Sequence, residues 1–250
     1  MVGLFIGGLL LLVFFFLFQF SSYDWKDIEN NKKQEDVSRQ KKIDNEKLKK
    51  GTAFEVQISE LISEKLKGAV VINNCILNKK SKDGKDIYMD GTVASKEFDV
   101  ICLSKKGVFV IEAKNYSGAF ISGNFHDKTW LTSYSKNKVF PVYSPYKQVT
   151  EAVMTLKRYF PDVSFKKYVV FPDSTKISDN LKKSGEVLNL TQLRYKLNEM
   201  TDSKDYISKE TIRLMKDVLV EENERARQMN AEKEHLEYVK KCRDATAATA

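Results

Sequence analysis

The block "FDVICLSKKGVFVIEAKNYSG" (98–118) constrains the fold more than any other stretch of this chain. Two apolar runs, 98–104 and 107–113, flank Lys105 and Lys106, which read as the turn of a hairpin. Side chains alternate along a strand, so Val108, Val110, Glu112 and Lys114 share one face, and Phe109, Ile111 and Ala113 share the other. With the turn centred on the two lysines, Leu103 faces Val108, Ile101 faces Val110 and Asp99 faces Glu112. That register sets two carboxylates side by side, with β-carbons about 5 Å apart. Like charges directly opposite one another destabilise a sheet, so a cation is the natural remedy, either the Lys114 ammonium or a divalent metal. Two carboxylates beside an open position suit a hard ion such as Mg²⁺, which takes oxygen ligands. The plainer alternative for Glu112 and Lys114 is a salt bridge at a fraying strand end. Asp99 in register, and a buried strand leading into the charges, favour the site.

Around the hairpin the sequence alternates helix and strand signals. "TAFEVQISELISEKLKG" (52–68) reads as a helix with Thr52 as N-cap, Gly68 as its stop and an apolar stripe of Phe54, Ile58, Leu61, Ile62 and Leu66. "AVVINNCIL" (69–77) reads as a buried strand, followed by a polar loop over 78–92. A short strand over 119–122 leads into an irregular stretch around Trp130. Ser144 and Pro145 then make an N-cap and first-turn proline for a helix over 145–160, with Val149, Val153, Leu156 and Phe160 inward. Strands follow at 166–172 and 187–190, Thr191 caps a further helix, and 207–241 is a long charged helix. The expected fold is α/β or α+β, a mixed sheet flanked by helices.

Glu55 has two readings. Thr52 and Glu55 carry the spacing of a capping box, which would occupy Glu55 locally. On a helical wheel Glu55 also falls between Ile62 and Leu66, inside the apolar stripe, which would aim a third carboxylate at Asp99 and Glu112.

The first segment, "MVGLFIGGLLLLVFFFLFQF", is uncharged for about the 20 residues that cross a bilayer. It has neither the basic start nor the small-residue cleavage site of a signal peptide, so residues 1–21 are expected to be a transmembrane anchor. Lys26, Lys32, Lys33 and Arg39 follow the span while nothing basic precedes it, which places the remainder in the cytoplasm. Gly3 and Gly7 form a GxxxG spacing, read here as ordinary small residues of a lipid helix. Residues 22–50 are charged, with apolar residues too sparse for a core, and read as a solvated linker. The compact part is then expected at 51–175, with a mainly helical extension over 176–250. An excess of +8, mostly lysine, favours anionic partners. Cys75, Cys102 and Cys242 are widely spaced, and the first two, in apolar strands, read as reduced core thiols. No zinc-ligand spacing exists, and His126 and His235 are isolated.

These residues resemble the nuclease-related domain (NERD) family, a branch of the PD-(D/E)XK nuclease-like superfamily. The resemblance rests on "GTAFEVQISELI", the 98–118 block, Trp130, "SPYKQV" and "VVFP", in that order over residues 51–172. It implies a PD-(D/E)XK nuclease-like core whose active site is made by Glu55, Asp99, Glu112 and Lys114, with Gln148 beside it. It further implies Mg²⁺ or Mn²⁺ held by Asp99 and Glu112 with Glu55, and a nucleic-acid substrate, DNA more than RNA, bound without regard to sequence. Lys136 and Lys138 would neutralise backbone phosphates. Phe98 stands where the superfamily has its proline before the aspartate. Gln148 either contacts the scissile phosphate or is a polar residue at a helix edge.

Three functions compete at this stage. The first is a membrane-tethered, metal-dependent nuclease. The second is a non-catalytic nucleic-acid-binding or scaffold module on the same fold; retention of all four charged positions argues for the enzyme. The third is an interaction protein working through its C-terminal helix, whose "EENERARQMNAEKEHLEYVKK" lacks a sustained heptad. Deleting 207–250 with the nuclease face intact would test that third reading.

Overall fold

The hairpin of 98–113 lies inside the main sheet, with a strand paired on either side of it. The computed structural model describes Lys49, residues 51–89 and residues 92–229. The proposed membrane span at 1–21, the linker apart from Lys49, and Cys242 lie outside the described residues. Among the described residues no helix is long and apolar enough to cross a membrane.

Helix α1 covers 51–65. It is followed by strands β1 (Val70–Asn78), β2 (Tyr88–Met89), β3 (Thr92–Val93), β4 (Ser95–Ser104), β5 (Gly107–Ala113), β6 (Phe120–Ser122), β7 (Thr129–Ser135) and β8 (Lys138–Tyr143). Helix α2 (Pro145–Tyr159), β9 (Phe165–Phe171), β10 (Lys176–Ile177), α3 (Asp179–Lys182), β11 (Val187–Asn189), α4 (Leu190–Thr201) and α5 (Lys209–Gln228) complete the chain. The main sheet has the order β1-β4-β5-β9-β11, antiparallel from β1 to β5 and parallel from β5 to β11. It is a mixed sheet flanked by helices, as the sequence implies. A second sheet has the order β10-β6-β7-β8.

Alternation along the central strands divides the core in two. Phe109 and Ile111 of β5, with Val100 and Cys102 of β4, pack against Phe54, Ile58 and Ile62 of α1 and Leu193 and Leu197 of α4. Val108 and Val110, with Ile101 and Leu103, pack against Val149 and Leu156 of α2, Ile212, Met215 and Leu219 of α5, and Ile121 and Trp130 of the second sheet. Burial of some forty apolar side chains at about 25 cal/mol per Å² is the main force holding these layers. Cys75 and Cys102 are free and buried within them, and burial pushes both thiols up to about 12.

Several local expectations need correction. Thr52 is not an N-cap, because Lys49 and Gly51 before it are already helical. The capping-box reading of Glu55 falls with it. Gly68, at φ 78°, does end the α1 region. The 78–92 loop carries the small β2–β3 ladder. The stretch around Trp130 is sheet: β7 and β8 pair antiparallel with a register shift between Ser133 and Ser135, and Pro141 is accommodated because β8 is the sheet's edge. Helix α4 is capped by Asn189, in a capping box with Gln192, while the Thr191 backbone N–H and hydroxyl both bond the Asp173 carboxylate. Residues 176–228, read as an extension, contribute β11 to the main sheet and α5 to its core.

Edge strands invite unwanted pairing unless covered. The free edge of β1 is covered by α5: Asn223 Oδ1 accepts the Ile76 N–H at 2.8 Å, and Arg227 Nη2 donates to the Asn74 carbonyl at 2.8 Å.

Candidate nuclease-like site

The β4–β5 register is the one the turn dictates, running from Ser104–Gly107 to Val100–Ile111. One step further it stops. Asp99 and Glu112 were expected to continue it as a directly opposed pair, and they do not. Asp99 Oδ2 instead accepts the backbone N–H of Ala113 at 2.7 Å, so a side chain closes the ladder. Glu112 continues on the other side of β5, in register with Val169 of β9, and the Lys114 N–H extends that pairing to the Val170 carbonyl at 3.0 Å. The parallel β5–β9 pairing therefore carries the chain past the last β4 contact and sets Glu112 and Lys114 at the open end of the sheet.

Glu112 is buried at 5 % exposure, and its Oε1 lies 2.5 Å from Lys114 Nζ. A carboxylate so enclosed is stable only when paired. Burial pushes the Asp99 carboxyl up to about 7, the Glu112 charge adds to this, and Lys114 and the Ala113 N–H oppose it. Burial opposes the Lys114 charge, but the Glu112 and Asp99 carboxylates outweigh it and hold the ammonium protonated well above its ordinary value. Glu55, half-buried on α1, is raised by burial and by Glu97, and lowered by Lys114 and by a hydrogen bond from the Asn74 side chain. Glu55, Asp99, Glu112 and Lys114 are thus within electrostatic reach of one another.

Gln148 sits in the first turn of α2, behind the Ser144 cap and Pro145. Its Oε1 is buried without a hydrogen-bond partner, and so is Oε2 of Glu55. Two residues escaped the sequence reading. Glu97 precedes the strand start assigned at 98, although its spacing of two from Asp99 was a usable signal. Asn74 gave none, being one polar residue in an apolar strand.

Among the described residues no three His, Cys, Asp or Glu side chains form a ready-made metal cage. The carboxylate oxygens of Asp99, Glu112 and Glu55 are of the donor type that a hard cation such as Mg²⁺ takes. Glu112 is paired with Lys114, Asp99 and the half-buried Glu55 lie within electrostatic reach of both, and the Glu55 Oε2 atom is buried and unpartnered. Mg²⁺ is ordinarily held by one or two carboxylates with water and substrate phosphate completing its shell, so a full protein cage is not required.

Residues 50–172 match the family model described as NERD, nuclease-related domain, which is just under half of the chain. The match covers α1 through β9 and so contains each of the five residues singled out above. No curated protein and no solved structure matches the chain.

Proposed function

We propose that this chain, with its nuclease-related segment at 50–172, is a metal-dependent nuclease that hydrolyses phosphodiester bonds of nucleic acid, DNA more than RNA. The observation that carries the reading is the Glu112–Lys114 pair at the open end of β5, with Asp99 locked beside it by the Ala113 N–H. A structural ion pair needs one acid; this one stands among three.

Asp99, Glu112 and Glu55 would hold Mg²⁺ or Mn²⁺. Such an ion, when bound, polarises the phosphodiester and lowers the pKa of a coordinated water. The residues themselves do the positioning. Glu112 keeps the Lys114 ammonium charged and directed, so that Lys114 orients the attacking water or stabilises charge developing on the phosphate. The backbone bond from Ala113 fixes Asp99 in one orientation. The unpartnered Gln148 amide oxygen is available to accept from Lys114 or from the water, while its NH₂ group donates to the phosphate. Exposed lysines such as Lys136 and Lys138 supply sequence-independent backbone contacts. Residues 1–21 would tether this activity to the cytoplasmic face of a membrane.

The test uses the full-length protein in detergent with labelled single- and double-stranded DNA and RNA, in Mg²⁺, Mn²⁺ or EDTA, beside Asp99→Asn and Lys114→Ala. Cleavage that needs metal and is lost in both variants is expected. Retained nucleic-acid binding without cleavage under any condition would instead identify a non-catalytic binding module. Equal cleavage by the variants would expose a contaminant.

A further inference from the structure

We propose that the tip of the β7–β8 hairpin, with the open face of the second sheet behind it, is a platform on which the unpaired bases of single-stranded nucleic acid stack. The inference rests on the nuclease reading above for its choice of ligand.

The hairpin tip interleaves aromatic and basic residues. Tyr134, Lys136, Lys138 and Phe140 are spaced two apart, symmetrically about Asn137. Ser133 pairs with Val139 and Ser135 with Lys138, so Tyr134 is the extra residue of a β-bulge, a device that re-aims a side chain. Tyr134 and Phe140 are 50 % and 52 % exposed, and Lys136 and Lys138 are exposed between them. Behind the tip the sheet has one covered face and one open face. Ile121 and Trp130 are buried in the core, whereas their chain neighbours Phe120 and Leu131 are exposed. Phe120 pairs with Ser133 and Ser133 with Val139, which puts Phe120 and Val139 in one row across the open face. Contiguous exposed apolar surface of this kind marks an interaction site.

Charge selects the occupant. Between Lys114 and Gln148 the chain sets Lys128, Lys136, Lys138 and Lys147 against one acid, Asp127, while the whole chain has 42 basic and 34 acidic residues. The Asp127 carboxylate is taken up locally, accepting the Asn124 backbone N–H at 3.1 Å and its side-chain amide at 3.0 Å. Glu151 of α2 accepts the Tyr143 hydroxyl at 2.7 Å, at the end of β8 away from the tip. The lysines suit the phosphates of any nucleic acid. The aromatic rings distinguish one form from another: a duplex keeps its bases stacked on each other, whereas a single strand offers free π-faces.

The platform is also continuous with the site. Phe120 follows Lys114 through a turn in which the Tyr116 N–H bonds the Lys114 carbonyl and the Ala119 N–H the Tyr116 carbonyl, each at 3.0 Å. At its other end β8 leads through Ser144 into the first turn of α2, which carries Gln148. A single strand on the platform is therefore held by the segment that joins Lys114 to Gln148.

The test measures binding of fluorescent oligothymidylate, and of a duplex of equal length, to the full-length protein in detergent with EDTA, which prevents cleavage. Tyr134→Ala and Phe140→Ala are each expected to raise Kd for the single strand by about tenfold and to leave the duplex within about twofold. Phe140→Leu, apolar without a ring, should lose as much. Phe140→Trp should keep the affinity, with its emission quenched by the oligonucleotide. Lys136→Gln and Lys138→Gln should weaken both probes, each lowering the salt slope of log Kd by about 0.7 for the single strand. Equal losses for both probes in the aromatic variants, or no loss for either, would overturn the proposal. So would quenching of the Phe140→Trp protein by brominated anionic lipid in vesicles free of nucleic acid, which would seat this face on a membrane. A dimer that the alanine variants dissociate, with single-strand affinity unchanged, would make the face a contact between copies and overturn it too. A wild type that cleaves nothing in Mg²⁺ or Mn²⁺ ends the nuclease reading, while binding in EDTA still decides the platform.

Discussion

Lys114 Nζ and Glu112 Oε1 stand 2.5 Å apart, with 23 % of the lysine side chain and 6 % of the glutamate side chain exposed. Breaking an enclosed pair by removing one partner strands the other charge, whereas removing both costs far less. Lys114→Met is expected to destabilise the fold by about 3 kcal/mol, and Glu112→Gln by a similar amount. The double variant should recover most of that loss while remaining inactive. Urea midpoints of the four proteins, with cleavage assays alongside, check this. A double variant as unstable as the worse single one would contradict it.

The Asp99 carboxyl, pushed up to about 7 by burial and by Glu112, gives a pH dependence with a definite sign. The folded protein holds this proton to higher pH than the unfolded chain, whose aspartates titrate near about 3.9. Stability from Asp99 is therefore full below about pH 4 and lost as pH rises through about 7. In EDTA, the urea midpoint of the wild type should fall between pH 5 and pH 8 relative to that of Asp99→Asn. The asparagine keeps an acceptor for the Ala113 N–H without carrying the charge, so at pH 8 it should be the more stable protein.

What could be read from the sequence follows the physics of each element. The register of the hairpin was legible because a two-residue turn and a buried face leave one alternative. Glu55 was legible as a candidate because α1 has a clear stripe with a carboxylate in it. The place where the register stops was not, since it depends on a side chain replacing a backbone partner. The conformation of Asn74 was illegible too, because a left-handed backbone at φ 51° is not announced by the composition of an apolar strand. The second sheet was missed around Trp130 because Pro141 weakens a strand pattern unless the strand is known to be an edge.

Gly123 is required by a close approach. An added Cβ would lie 2.9 Å from Trp130 Cδ1 and 3.4 Å from its Cα, at φ 150°. Trp130 is fully buried and its indole N–H donates to the Asn124 carbonyl at 3.0 Å, so it cannot move aside. Gly123→Ala is expected to cost about 2 kcal/mol through overpacking. Gly118→Ala is the control, at φ 77° with open space around it, and should show the conformational cost only, about 1 kcal/mol. Thermal unfolding of both variants measures the difference.

The deletion of 207–250 that would have isolated the C-terminal helix as a partner-binding element cannot leave the face that carries Asp99, Glu112 and Lys114 intact. Ile212, Met215 and Leu219 of α5 are buried in the core beneath β4 and β5, and burying each is worth about 1.5–3 kcal/mol. Their combined loss is comparable to the whole net stability of a domain. The same deletion strips Asn223 and Arg227 from the edge of β1, leaving its N–H and carbonyl groups open to pairing with another chain. A protein ending at 206 is therefore expected to be insoluble or to lack a cooperative unfolding transition by circular dichroism. A protein ending at 229 retains α5 in full and is expected to unfold cooperatively within a few degrees of the full-length chain. Partner capture lost on truncation at 229, with that transition preserved, would assign the interaction to residues 230–250. Cooperative unfolding of the 1–206 protein would show that α5 is dispensable to the core.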